Sequence, residues 1–300
     1  MQSSGPTENR GDQPLPSITI MQGRLVGPFP GKFQSFPREH WATEFSAAAA
    51  VPLDGIEWIY DAHGAGLNPL ETDVGIELIK ALSHRHGVAV RSLCADYFMD
   101  LPLLRVPEQQ RRERLLRLEW LLGRCALLGI ERVVLPFVDA SRIESAAETA
   151  IVLDCLSQVL PKAEACRVEL HLETALPPLA FAALLARIEH PLVWVNYDSG
   201  NSCSLGYRPE EEFQAYGSRI GSVHIKDRLV GGGTVPLGNG GVDFAALREC
   251  LGVINYRRDF VLQVARGEPG AEIAWSRVNR QFVSDWWVGE HLVEPAVTVV

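Results

Sequence analysis

Short apolar runs alternate with longer amphipathic segments along most of the chain. Eight runs rich in branched residues read as strands: Ser17–Gln22, Gly55–Tyr60, Ala89–Cys94, Arg132–Phe137, Val168–Glu173, Leu192–Asp198, Ser222–Lys226 and Phe260–Val264. After each comes a stretch with apolar residues at i, i+3 and i+4, which predicts helices over Arg38–Val51, Thr72–His86, Pro107–Leu128, Ser145–Cys166, Pro178–Ile188, Pro209–Tyr216, Asp243–Leu251 and Ala271–Trp287. Pro107 and Glu108 open the clearest of these, and Gly129 closes it. Eight strands each followed by a helix predict an α/β chain folded as a single-domain (β/α)8 TIM barrel. The strands are mostly continuous apolar runs, as parallel strands covered on both faces should be. A doubly wound open sheet shares this rhythm, but no G-x-G-x-x-G follows the first strand to support dinucleotide binding. Residues 1–17 are polar and rich in Gly and Pro, so they are expected to form a disordered tail, with residues 18–300 as the barrel domain.

Composition narrows the classes of partner. Hydrophobic residues make up 47% and charged residues 22% of the 300, which is ordinary globular usage with enough apolar material for a large core. The formal charge is −9, and no long basic run occurs, which argues against nucleic acid as a partner. An anionic ligand would need a local pocket of positive charge. No stretch approaches the ~20 apolar residues of a membrane helix, and the N-terminus lacks an apolar signal-peptide core, so a cytoplasmic protein with no membrane partner is expected. The six cysteines show no C-x-x-C spacing, which leaves buried thiols as the expectation.

In a barrel of this kind the chemistry gathers at the C-terminal ends of the strands. Four late strands end in polar residues there: HLET with Glu173, VNYDSGN with Asp198, SVHIKDR with His224 and FVLQVAR with Gln263. Taken singly, Glu173 or Asp198 serves equally well as a helix N-cap or an ion-pair partner. Together the four predict a divalent-cation site for Mn²⁺, Mg²⁺ or Co²⁺, with Zn²⁺ also compatible. Strand alternation puts His224 with Lys226, Asn196 with Asp198, and Glu169 and His171 with Glu173. His171 reads as a hydrogen-bonded interior residue, and His84 and His86 as cations suited to a helix C-terminus. Glu57 is either a functional carboxylate or an ordinary ion-pair member. Trp58, Tyr60, Tyr97 and Phe98 form either an aromatic floor for a ligand or part of the core. The glycine-rich stretch Gly231–Gly241 offers backbone N–H groups to an anion, with Arg24, Lys226 and Arg228 as candidate partners; a flexible lid is the alternative.

MQGRL, DGIEWIYD, NPL, SLCADYFM, LHLET, NYDSGN, VHIKDR, PLGNGGVDF and QVARG, in that order, resemble the sugar-phosphate isomerase/epimerase family of xylose-isomerase-like barrels over about residues 17–270. The resemblance implies a metal held by Glu, Asp, His and Glu from the late strands, with the two Glu residues moving a proton on opposite faces of a ketose. Glu173, Asp198 and His224 match the first three positions. Gln263 stands at the fourth, and Asn201 stands where a His often follows the aspartate. It also implies a small-molecule sugar or sugar phosphate as partner and a homodimer or homotetramer.

Epimerisation through an enediolate takes a proton from one face and returns one to the other, which an amide cannot do. A 1,2-isomerisation can use one carboxylate on one face, so Glu173 suffices as base. The sequence therefore favours isomerisation, or an epimerisation in which Lys226, Glu57 or Asp227 supplies the second proton. The alternative is a sugar-binding barrel without turnover.

Overall fold

In the computed structural model, residues 14–289 are described. Residues 1–13 of the expected tail and 290–300 of the expected barrel domain lie outside them. The strands are β1 (Ile18–Met21), β2 (Gly55–Ile59), β3 (Ala89–Cys94), β4 (Arg132–Phe137), β5 (Glu169–Thr174), β6 (Val193–Asp198), β7 (Ile220–Ile225), β8 (Asp227–Arg228), β9 (Thr234–Val235) and β10 (Phe260–Leu262). All but β8 and β9 close into one parallel barrel in the order β1-β10-β7-β6-β5-β4-β3-β2. The pair β8 and β9 forms a small antiparallel ribbon beside it.

The helices are α1 (Thr43–Ala50), α2 (Asp73–His86), α3 (Tyr97–Asp100), α4 (Glu108–Leu128), α5 (Ala146–Cys166), α6 (Pro178–Leu185), α7 (Ser199–Ser204), α8 (Pro209–Tyr216), α9 (Phe244–Val253) and α10 (Glu272–Val288). Local chemistry sets their ends. The Thr72 hydroxyl accepts from Gly75 N at 3.0 Å to start α2, and Gly87 ends it at φ +66°. Ser145 caps α5 in the same manner. The first helix begins five residues later than its periodicity predicts. Phe36 N is drawn to the Asp61 carboxylate at 2.8 Å and Arg38 donates to His63 O, so this stretch is anchored to the loop after β2. Helices α3 and α7 and the ribbon are too short to leave a periodic signature.

Between strands and helices lies a continuous apolar layer that includes Phe45, Ile76, Leu118, Phe181, Leu247 and Trp286. The barrel interior carries polar side chains as well. Glu57 on β2 reaches His224 on β7 at 2.7 Å although two other strands separate them around the wall, so both side chains point into the barrel.

The N-terminal end of the barrel holds the larger of two main cavities, about 740 Å³, lined by Arg91, Arg132, Arg258, Glu131, Glu169 and Asp259. Its charges are largely paired: Arg132 with Asp259 at 2.5 Å, and Arg258 with both Glu169 oxygens at 2.5 and 3.0 Å. Burial disfavours the Arg132 charge, but Asp259 and Glu57 outweigh it and hold its pKa above the usual arginine value. This end of a barrel serves stability. Asp259→Ala, which leaves Arg132 buried without its partner, should lower the unfolding free energy in urea by about 3–5 kcal/mol. Glu77→Ala, which removes an exposed pair with Lys80, should change it by less than about 1 kcal/mol.

Candidate metal centre

Strands β5, β6 and β7 deliver Glu173, Asp198 and His224 to the C-terminal end of the barrel, where one ligand atom from each lies within 4.8 Å of the others. All three are buried, at 5%, 3% and 0% exposure. Each side chain is aimed by a neighbour. Asn196 Nδ2 donates to Glu173 Oε2 at 2.9 Å and Asn201 Nδ2 to Oε1 at 2.7 Å. A carboxylate has about four lone-pair sites, so two remain for a cation and a reacting proton. Asp198 Oδ1 caps α7 through Asn201 N at 2.7 Å, so the helix-cap and cluster roles coexist in one residue. His224 turns Nε2 towards Glu57 and leaves Nδ1 buried without a hydrogen-bond partner, 3.7 Å from Glu173 Oε2. An imidazole nitrogen left open between two carboxylates, with the other nitrogen facing a third, is the arrangement of a metal-ligating histidine and its orienting carboxylate. The donor set fits a divalent cation.

The cluster's charges shape each other. Burial and then the Asp198 charge push the Glu173 carboxyl up to about 7. Burial disfavours the His224 imidazolium, but Glu57, Glu173 and Asp198 outweigh it and push His224 up to about 9. Burial alone would raise Glu57; the adjacent His224 instead holds it below the usual carboxylate range.

A cavity of about 410 Å³ opens beside the cluster, with a lining that includes Phe33, Met99, Val138, Glu173, Lys226 and Gln263 but neither Asp198 nor His224. Lys226 Nζ lies 3.4 Å from Asp198 Oδ2, 3.3 Å from Asn201 Oδ1 and 3.1 Å from Gln263 Oε1. Gly200 makes this reach feasible, because a Cβ there would meet Lys226 Cγ at 2.7 Å. The carbonyl of Gln263, expected as a fourth ligand, thus already accepts from an ammonium, and its amide donates to Gln34 Oε1 at 3.3 Å. Arg228 lines the same cavity, but its guanidinium is engaged by Gly232 O and Asn201 Oδ1.

Other expected site residues lie elsewhere. Glu57 is fully buried beneath His224 and does not line the cavity. Arg24 sits behind the cavity wall, donating to Val264 O, Phe33 O and Gln34 Oε1, so it braces Gln34. Trp58 belongs to the core: it is fully buried, donates to Asn68 Oδ1 at 3.0 Å and packs against Phe36, Trp41 and Phe45. Tyr97 packs on Tyr60 and Phe98 outside the cavity lining. The glycine-rich loop spends its N–H groups internally, since Gly238 N, Gly240 N and Val242 N all donate to Asp227. That bonding also removes Asp227 from the reach of a ligand. Sequence reasoning missed Gln34 and Asp96, both in the cavity lining. Asp96 directly follows β3, so the strand-end rule applied to the early strands would have found it.

Asp198→Ala should abolish binding of Mn²⁺ in a calorimetric titration, while His84→Ala should leave it unchanged. Glu57→Gln, which frees the His224 ring to turn, should weaken binding about 10–100-fold. Below a pKa of about 9 the metal-free His224 carries a proton on the nitrogen a metal needs. Affinity should therefore rise with pH up to about 9, with proton release on binding detectable across buffers of different ionisation enthalpy.

The solved structures similar to this chain share its fold. L-ribulose 3-epimerase is 17% identical with a TM-score of 0.72, covering 91% of this chain and 94% of its own. The IOLI protein with a bound zinc atom is 16% identical with a TM-score of 0.73, covering 90% and 99%. The 3-keto-D-glucoside 4-epimerase of E. coli is 20% identical with a TM-score of 0.68, covering 90% and 99%. No curated protein sequence matches the chain. With a barrel closed by eight parallel strands and a match to the family over residues 45–278, the chain belongs to the xylose isomerase-like TIM barrel family.

Proposed function

We propose that the chain is a divalent-metal-dependent isomerase or epimerase of an unphosphorylated sugar, with Glu173 as the base that removes a proton next to the carbonyl. The observation that carries this reading is the buried Glu173, Asp198 and His224 cluster, which meets the cavity through Glu173. Glu173, Asp198 and His224 would hold the cation, leaving a coordination position open to the substrate, as catalytic sites do. A bound cation would supply Lewis acidity to the substrate oxygens.

The chain's own residues do the rest. Glu173 is the one carboxylate of the cluster that also lines the cavity, which is where a base must stand to take a proton from a bound sugar. Asn196 and Asn201 fix the plane of its carboxylate, so the proton is taken from one defined direction. Lys226 and Gln263 border the cavity bonded to each other, so they shape its wall. Phe33, Met99 and Val138 give the cavity an apolar wall for the C–H face of a sugar. A neutral substrate is favoured because Lys226 and Arg228 are already engaged by the protein and the glycine loop is closed around Asp227. The structural neighbours named as sugar epimerases support the same substrate class.

With Mn²⁺ bound and a panel of ketoses in D₂O, the protein should wash deuterium into the carbon next to the carbonyl. Glu173→Gln should cut this exchange by about 10²–10⁴-fold, and a chelator should stop it. Phosphorylated ketoses turned over with higher kcat/KM than the free sugars would overturn the neutral-substrate assignment.

A further inference from the structure

Inverting a carbon next to a carbonyl needs a proton carrier on each side of the enediolate, and Gln263 cannot be one. Among the residues lining the cavity, the groups able to carry a proton are Glu173, Asp96, Asp139, Cys94, Lys226 and Arg228. Arg228 stays charged in any protein and is bonded to Gly232 O and Asn201. The Lys226 ammonium is spanned by Asp198, Asn201 and Gln263. The Cys94 thiol donates to Asp96 Oδ1 at 3.1 Å, and burial raises it well above the ordinary thiol value. Asp139 is exposed at the rim. Glu57 and Asp227, which sequence reasoning offered for this role, do not line the cavity.

Asp96 remains. We propose that Asp96 is the second acid/base group of the site, giving a proton to the substrate face opposite the one that Glu173 deprotonates, and that the reaction is an epimerisation. The assignment rests on the proposed function and makes it specific. Asp96 follows β3 and Glu173 ends β5, so the two carboxyls enter the cavity from either side of β4, whose Pro136, with the following Val138, lines the wall between them. Asp96 is held by Gln34 Nε2, which donates to its Oδ2 at 2.7 Å. Gln34 Oε1 in turn accepts from Arg24 at 2.9 Å and from Gln263 at 3.3 Å. Gln263 therefore sits in a chain that ends on a carboxyl, and the amide positions an acid in place of being one. Burial raises the Asp96 carboxyl, which favours the protonated form that a donor needs.

The step balances within the protein. Glu173 takes the proton, the C–H electron pair moves towards the carbonyl to give the enediolate, and the returning pair takes the Asp96 proton on the other face of the same carbon. One C–H bond breaks and one forms with inverted configuration. Glu173 ends protonated and Asp96 ionised, and exchange with water in the open cavity resets both.

The test uses the Mn²⁺-loaded full chain with L-ribulose and D-tagatose in D₂O, reading deuterium incorporation by mass spectrometry and epimer formation by chromatography. Asp96→Asn keeps an acceptor for Gln34. It should lower epimer formation by about 10²-fold or more while deuterium still enters the α-carbon with retained configuration within a few-fold of wild type. Asp96→Glu should recover part of the epimer formation. Glu173→Gln should lose both signals. Equal losses of exchange and epimerisation in Asp96→Asn, or no loss, would overturn the assignment. A wild-type chain that neither exchanges nor epimerises either ketose would overturn the proposed function for these substrates and the role of Asp96 with it.

Discussion

Three carboxylates, Glu57, Glu173 and Asp198, converge on one imidazole where water is nearly excluded, and the balance of that buried charge governs the site. Their exposures are 0%, 5% and 3%. Against three negative groups the immediate surroundings set two positive ones, His224 and Lys226. Buried like charges repel strongly at short range, so one response is to hold a proton, as the raised pKa of Glu173 shows. Another is to take up a cation. The same burial and repulsion that raise Glu173 in the metal-free cluster favour a divalent ion, which would take the place of that proton.

A closed barrel can hold such charges because a column of hydrogen-bonded polar side chains runs down its interior. Below Glu173, Asn196 accepts from Ser222 Oγ at 2.6 Å, Ser222 lies 2.7 Å from His171 Nδ1, and His171 Nε2 lies 2.9 Å from Glu169. Glu169 is then held by Arg258 at the N-terminal end. Burial lowers His171 to about 4, so its ring is neutral at pH 7. This column fixes Asn196, and through it the plane of the Glu173 carboxylate, without adding charge beside the cluster. Arg132 extends the same logic, since Asp259 and Glu57 outweigh its burial and raise its pKa.

Much of the fold was legible because the parallel strands are short apolar runs and the outer helices carry a clear period. All eight barrel strands fall within two residues of their expected bounds, the largest differences being two residues at the N-terminal edge of β7 and the C-terminal edge of β10. The gathering of Glu173, Asp198 and His224 was legible for the same reason: a polar residue ending an apolar strand stands out, as in HLET and NYD. What was not legible is contact across the mouth. Nothing in the spacing of Gln34, Asp96 and Gln263 announces that they form one chain, since 229 positions separate Gln34 from Gln263. Nor does the sequence tell an aromatic residue beside a strand end, such as Trp58, from one facing the ligand, because the two faces of a buried strand are equally apolar. The glycine loop misled for another reason: glycines that free backbone N–H groups for an anion look the same when the anion is the chain's own Asp227.

The central claim, that buried excess negative charge is built to hold one divalent ion, is tested most directly by anomalous diffraction at the manganese edge on crystals soaked in Mn²⁺. The account predicts one strong peak about 2.0–2.6 Å from carboxylate oxygens of Glu173 and Asp198 and from His224 Nδ1, with Lys226 Nζ displaced from Asp198. Mn²⁺-soaked crystals with no peak at this cluster, or with the ion bound at the N-terminal cavity instead, would contradict it.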